Sequence, residues 1–442
     1  MRILLINPPC SDKNLINKYS DGADVGRYNP VGAPHALCSL AGNLKEHEVE
    51  IVDFKAEYRL GLNIPVEEAV RRKISAFNPD VVGVTVLTSE YPSAMKIFET
   101  VKNQDPAILT VAGGVHVTLC PQDFERPAID IAVMGHGKYI FKRIVECARK
   151  KEGFSEIPNI SVNRGGTFYY TKNQNLFQCP EKLLSDVCAD RSLVRKYIDA
   201  YRVGPHGDAL GSVETSYGCP NKCTFCSIWP MNKGHYHERA VEHIVEELKM
   251  LQEYKVVRFI DANTMGSTEH INRVMDRIIR ENFNYYFMMD IRSDTAAYRE
   301  DLVKKAAEMG VVIAIVGLES VEEEELKHYN KEATLYENLK AIEMFHKYNI
   351  NMRANFLIQP GYTEKNFRRI KEFVLSNDLK YSVFTIMTPF PGTPLYEEVK
   401  DKITITDLSY YNLLNSVLPT TLPEEEFYRQ VADLYSGQVI VR

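Results

Sequence analysis

Short apolar runs and amphipathic runs alternate along this chain, and they do so in two separate blocks. In the first block the apolar runs fall at residues 2–7, 49–54, 81–87, 108–112 and 129–134. Between them, segments 36–45, 67–77, 94–102 and 139–149 carry helical spacing, and 67–77 sets Ala69, Val70, Ile74 and Ala76 on one side. Strands that are apolar throughout are buried on both faces. With helices between them, they predict a Rossmann-like (flavodoxin-like) parallel sheet covered on both sides.

The second block repeats the alternation. Strands are expected at 212–217, 256–260, 285–289, 311–316, 351–357 and 381–387, and helices at 240–253, 269–281, 300–308, 335–346 and 365–376. Segment 240–253 places Val241, Ile244, Val245, Leu248 and Leu251 on one stripe. Six βα units are fewer than the eight of a closed barrel. Between the blocks, 159–163 and 167–170 flank an Arg164-Gly165-Gly166 turn and read as a hairpin. An irregular connection follows, with a short helix near 193–197. A helix over 423–435 begins with Pro423 and three glutamates, a charge choice that suits a helix start. The expected division is therefore 1–150, a linker with a hairpin over 151–205, a partial (β/α)6 barrel over 206–400, and a tail over 401–442.

Composition narrows the function. The chain has 442 residues, room for two to three domains, and its 45% apolar and 25% charged content is that of a soluble globular protein. A formal net charge of −6 gives no reason to expect nucleic acid as a partner. No apolar run approaches the ~18 residues of a membrane span, and the first run breaks at Pro8-Pro9, too early for a signal peptide. Cys10, Cys38, Cys120, Cys147, Cys179 and Cys188 are scattered without framework spacing. Reduced thiols suit a cytoplasmic setting.

Three further cysteines are not scattered. Cys219, Cys223 and Cys226 stand in a C-x3-C-x2-C spacing just after an apolar run. Iron–sulfur clusters usually take four thiolates, so a cubane held by three keeps one iron open for chemistry. The alternative is a structural zinc completed by His235 or His237. Such sites are closed by four ligands, often as two C-x2-C pairs, and the spacing here favours the cluster.

The ends of the strands carry the other candidates. Ligands of parallel sheets and barrels gather beyond the carboxyl ends of strands. In the first block these ends hold Asn7-Pro8-Pro9, Asp53, Thr88-Ser89, Gly113 to Thr118, and Gly135-His136-Gly137. Several glycines there let a bulky ligand approach the backbone. In the second block they hold Asp261-Ala262-Asn263-Thr264, Asp290 to Asp294, Gly317-Leu318-Glu319-Ser320, Gln359-Pro360-Gly361, and Thr388 to Tyr396.

The cysteine run, with Phe225 before its last member, resembles the signature of the radical S-adenosylmethionine (SAM) enzymes. Gly317-Leu318-Glu319-Ser320 and Pro391-Gly392-Thr393-Pro394-Leu395-Tyr396 also resemble stretches of that family. The resemblance implies a 4Fe-4S cluster on Cys219, Cys223 and Cys226, an open six-unit barrel, and SAM chelated to the open iron. Cleavage of SAM then gives a 5′-deoxyadenosyl radical. Within that frame, Arg292 would meet the SAM carboxylate in a fork. Asp261, Asn263 and Glu319 would accept from its ammonium or ribose, and Phe225 and Trp229 would lie on adenine or substrate. The family's Gly-Gly-Glu is replaced here by Asp261-Ala262-Asn263.

Residues 113–121, Asn7-Pro8-Pro9 and the 36–44 helix resemble the cobalamin-binding domains attached to such enzymes, across most of 1–150. The implied cobalamin contacts are Asn7, Pro8, Thr88, Ser89, Gly113, Gly114, His116, Thr118, Gly135 and Gly137. The chain lacks the Asp-x-His-x-x-Gly run by which some cobalamin proteins ligate cobalt. It has Gly135-His136-Gly137-Lys138 where relatives often show Gly-Glu-Gly-Glu. His116 is either a cobalt neighbour or a hydrogen-bonded loop anchor. The expected activity is cobalamin-dependent methylation of an unactivated carbon in a small molecule, with methylcobalamin as methyl source and a flavodoxin or ferredoxin as electron donor. The alternative is a radical SAM enzyme of ring closure, rearrangement or oxidation that uses cobalamin differently or not at all, and a non-catalytic zinc-stabilised binding protein is the third reading. Tyr410 and Tyr411 are candidates for lining a substrate pocket.

Overall fold

The structure is a computed structural model that describes residues 1–20, 25, 31–175, 187–203, 207–436 and 438. Cys179, expected as an ordinary thiol, lies outside the described residues. The chain forms two compact units, Met1–Ser11 with Val31–Tyr201, and Asp12–Pro30 with Arg202–Arg442.

The first unit is built on a seven-stranded sheet in the order β2-β1-β3-β4-β5-β6-β7. Strands β1 (Arg2–Asn7), β2 (Glu48–Asp53), β3 (Val81–Thr85), β4 (Leu109–Gly113) and β5 (Ile131–Val133) run parallel. The two-residue period of a strand divides the core. Ile3 and Leu5 join the helices His35–Gly42 and Gly137–Lys150 on one face, while Leu4 and Ile6 join Val66–Phe77 and Tyr91–Gln104 on the other. Strand order reverses between β1 and β3, which makes their carboxyl ends the switch point where such sheets bind ligands.

The stretch expected as a linker belongs to this unit. Its hairpin, β6 (Ile160–Arg164) and β7 (Thr167–Tyr170), extends the sheet antiparallel to β5. Ile157, Ile160, Val162, Val194, Tyr197 and Tyr201 are buried in the same core. Alternating apolar residues on the hairpin are what cover the otherwise open edge of β5.

The second unit carries β8 (Arg202–Val203) and β9 (Asp208–Val213), then a separate antiparallel pair, β10 (Ser216–Gly218) with β11 (Tyr236–Glu238). Next come β12 (Val256–Phe259), β13 (Tyr286–Asp290), β14 (Val311–Glu319), β15 (Asn351–Ile358) and β16 (Val383–Ile386). The main sheet runs β16-β15-β14-β13-β12-β9-β8, with β9 to β16 parallel and β8 antiparallel. Its two ends do not pair with each other, so the six βα units form an open partial barrel.

The first barrel strand, Asp208–Val213, begins and ends four residues earlier than the expected 212–217. Asp261 accepts hydrogen bonds from the backbone and hydroxyls of Thr215 and Ser216, which turns the chain out of the ladder after Val213. At the other edge, the tail helix Glu424–Leu434 covers β16: Tyr435 hydroxyl donates to Phe384 O and accepts from Phe384 N. Helix Leu15–Tyr19 lies on this tail, with Tyr19 stacked on Tyr428 at 5.7 Å and Asn415 capping Leu15 N. Among the described residues, no helix is long and apolar enough to cross a membrane.

Candidate functional site

Cys219, Cys223 and Cys226 lie on the loop from β10 to the short helix Ile228–Asn232. The loop is clamped from two directions. Thr224 N donates to Tyr329 O (2.9 Å), and Leu395 N, beyond β16, donates to Thr224 O (3.0 Å). Asn330 Nδ2 donates to Lys222 O, and Asn221 Nδ2 to Glu332 Oε2. Trp229 Nε1 donates to Cys223 O at 2.9 Å, and Phe225 packs edge-on against Tyr329 at 5.5 Å. Both aromatics therefore brace the loop in this structure.

Burial pushes all three thiols up, Cys226 to about 11. Lys331 and Arg292 oppose that rise at Cys219 and Cys223. Cations beside buried thiols favour the thiolate, the form that binds metal. The three sulfurs do not all fall within 4.8 Å of one another, nor do they form such a group with His235 or His237. A single tetrahedral zinc draws its ligands closer than that. A cube of four irons spreads them wider. His237 stacks on Tyr217 across β11 and β10.

The cations come from neighbouring strand ends. Glu319 closes β14 in the left-handed region (φ 62°), where the register shifts between Gly317 and Glu319. A non-glycine residue held there is strained, and such residues concentrate at functional sites. Its carboxylate pairs with Lys331 Nζ at 2.8 Å, both side chains about nine-tenths buried. A Cβ at Gly317 would collide with Glu319 Oε1 and come 2.8 Å from Lys331 Nζ, so glycine there makes room for the pair. Arg292 offers its fork to Asp294 (Nε–Oδ1 3.1 Å, Nη2–Oδ2 2.7 Å) and donates to Lys331 O at 2.6 Å. The expected fork on a SAM carboxylate is thus filled by Asp294. A ligand meets Arg292's remaining N–H groups, or displaces Asp294.

Asp261 is buried and raised to about 6, burial outweighing the hydrogen bonds from Ser216 and Thr215 that lower it. Those bonds all fall on Oδ1; its Oδ2, together with Asn263 Oδ1 and Thr264 Oγ1, is buried without a hydrogen-bond partner. Unsatisfied buried acceptors in a row are costly, and a cationic or hydroxyl-rich ligand would satisfy them. The structure thus gathers the cysteines, Arg292 and Glu319 into one cluster with Asp261 and Asn263 on a neighbouring strand end. Lys331 and Tyr329 lie in none of the stretches that the sequence singles out. No motif marks them, and they gain meaning from the partners they hold.

In the first unit, Gly113 and Gly135 face open space at the ends of β4 and β5, where an added Cβ meets nothing within 4 Å. Gly114 (φ 111°) packs its backbone against Val86, where an added Cβ would come 2.7 Å from Val86 N and clash. Thr118 Oγ1 donates to Gly114 O and accepts from Gly135 N, tying the two strand ends together. Asn7 Nδ2 donates to Asp53, which also accepts from Tyr201. Glu90, next to Thr88 and Ser89, pairs with Lys55 and accepts from Leu87 N. Pro8 is buried and Ser89 half-buried, and Gly137 opens the helix Gly137–Lys150. His116 is sealed from solvent, with Nδ1 3.3 Å from Thr88 Oγ1. The buried ring thus ties the loop after β4 to the strand end at Thr88.

The donor sets fit the expected groups: three thiols with cations beside them, orphaned acceptors nearby, and an open glycine-lined cradle on the other sheet. Comparison with known proteins agrees in kind. Residues 213–374 match the Radical SAM superfamily and residues 23–145 the B12 binding domain. The chain is 29% identical to an uncharacterized methyltransferase of Pyrococcus horikoshii, over 90% of this chain and 83% of that one. It is 25% identical to the anaerobic magnesium-protoporphyrin IX monomethyl ester cyclase of Rubrivivax gelatinosus, over 98% and 77%. Its fold is similar to that of the radical SAM methyltransferase TsrM from Kitasatospora setae, solved with cobalamin and a 4Fe-4S cluster. That likeness has a TM-score of 0.72 at 17% identity and covers 97% of this chain and 84% of that one.

Proposed function

We propose, for a chain that belongs to the cobalamin-dependent radical SAM family, methyl transfer to an unactivated carbon of a small molecule. The observation that carries this reading is the clamped loop with three thiols and two cations against it. When bound, the cluster supplies the electron that cleaves SAM, and cobalamin supplies the methyl group.

The chain's own residues do the rest. Cys219, Cys223 and Cys226 hold the cluster. Lys331 and Arg292 oppose the rise that burial imposes on the thiols and offset the negative charge of the assembled site. Asp261 pins Thr215 and Ser216, and with them β10, the strand from which the loop departs. Asp261 Oδ2 and Asn263 Oδ1 receive donors from SAM, and Glu319 takes part from the next strand but one, exchanging Lys331 for a ligand donor. In the first unit, Asn7, Thr88, Thr118 and the backbone at Gly113, Gly114 and Gly135 form the cobalamin surface. An electron donor of the flavodoxin or ferredoxin kind and a reducing, cytoplasmic setting belong to the same reading.

Turnover with substrate tests it. Methyl transfer releases both S-adenosylhomocysteine and 5′-deoxyadenosine. The second reading, ring closure or oxidation, draws on the likeness to a named cyclase. It predicts deoxyadenosine without S-adenosylhomocysteine.

A further inference from the structure

One group of ligating side chains in the first unit is used by none of the above. His116, Cys120 and Asp123 bring one ligand atom each within 4.8 Å of the others. His116 and Cys120 are four residues apart across the one-turn helix Val115–Leu119, which puts them on one face. Asp123 follows in the turn Pro121–Phe124.

The imidazole is poised in a way that a hydrogen bond does not explain. Nε2 is fully buried and lies 3.2 Å from Asp123 Oδ2, yet the two are out of line for hydrogen bonding, and Nε2 has no other partner. The opposite nitrogen, Nδ1, faces Thr88 Oγ1 at 3.3 Å, the kind of outer contact that fixes a ligating ring. Tyr91 and Phe124 wall the ring edge-on at 5.5 and 5.6 Å, and Tyr91 hydroxyl donates to Asp123 O. Asp123 retains 43% of its side-chain exposure, which leaves a path from solvent.

We infer that His116, Cys120 and Asp123 form a binding site for one divalent ion of the zinc class, separate from the cluster loop. Nitrogen, sulfur and oxygen in a set of three suit zinc, with a fourth position left to water. The ion joins the loop after β4 to Thr88 after β3, through His116. It therefore orders two of the strand ends placed around the cobalamin surface, and rests on that reading only for its consequence, not for its existence.

The test is metal content. Reconstituted full-length protein, dialysed against zinc-free buffer after loading with Zn2+, should keep about one zinc per chain beside its iron. Cys120→Ser should lose that zinc while iron content and circular dichroism stay unchanged. In a full-length Cys219→Ala, Cys223→Ala, Cys226→Ala background, Co2+ should give a thiolate-to-cobalt charge-transfer band that Cys120→Ser removes and Asp123→Asn weakens at least tenfold in affinity. No retained zinc in the unsubstituted protein, or a cobalt band that survives Cys120→Ser, overturns the site. Neither outcome depends on whether cobalamin binds or methyl transfer occurs.

Discussion

The Glu319–Lys331 pair separates structural from functional roles. Both side chains are about nine-tenths buried and joined at 2.8 Å. Removing one partner of a buried pair strands the other, at a cost of about 3–5 kcal/mol. Glu319→Gln keeps an oxygen that still accepts from Lys331 Nζ, so we expect the low end, about 3 kcal/mol. Lys331→Met should cost a similar amount by stranding the carboxylate. The double variant Glu319→Gln, Lys331→Met strands neither charge and should recover most of the loss, giving a coupling energy of about 2 kcal/mol or more. SAM affinity should behave differently. A hydrogen bond to a charged group contributes about 1.5–3 kcal/mol, so Glu319→Gln should weaken SAM about 10- to 150-fold, and the double variant should not restore it. The assays are denaturant unfolding of the apoprotein and anaerobic equilibrium dialysis of SAM against cluster-loaded protein. If the double variant regains both stability and affinity, Glu319 is a structural residue and its assignment to SAM is wrong.

Three other perturbations read the same site. Gly317→Ala places a methyl group on the Glu319 carboxylate and beside Lys331 Nζ; parting that buried pair should lower stability by about 3 kcal/mol, with SAM affinity lowered at unchanged iron content. Trp229→Phe removes the bond to Cys223 O at about 1 kcal/mol, and the cluster should be lost to chelator faster; an unchanged rate would mean the indole does not brace the loop. Asp261 titrates near 6 when folded against 3.8 in its ordinary state, so the folded chain holds its proton more tightly. That stability is present below about pH 4 and lost as pH rises through 6, a change of about 3 kcal/mol. Asp261→Asn should therefore gain on the wild type by about that much between pH 4 and 7 in unfolding experiments, and a flat difference would contradict the burial argument.

Much of this was legible in the chain. The strands of both units lie close to where the apolar runs put them, because a run buried on both faces announces itself without reference to partners. Cys219, Cys223 and Cys226 were legible from spacing alone. What escaped depended on contacts distant in sequence. The 160–170 hairpin read as a linker because nothing in it says that β5 needs a neighbour. The break after Val213 comes from Asp261, 48 positions later by number, and a local alternation pattern cannot register it. Arg292 was assigned to a ligand, yet Asp294, two residues on, takes its fork. Lys331 sits in no motif, and its meaning comes from Glu319, Arg292 and the thiols it faces. His116 was read both ways, and its complete burial and its contact with Thr88 could not be seen in the sequence.

The central claim is that three clamped thiols hold a cluster with one iron open to SAM. Electron paramagnetic resonance of anaerobically reconstituted, reduced protein, recorded with and without SAM, tests it most directly. We predict about four iron and four sulfide per chain, a reduced-cluster signal whose shape changes on adding SAM, and loss of both signal and change in Cys223→Ala. A signal indifferent to SAM, or a colourless protein holding a lone zinc on these cysteines and a fourth protein ligand, would contradict it.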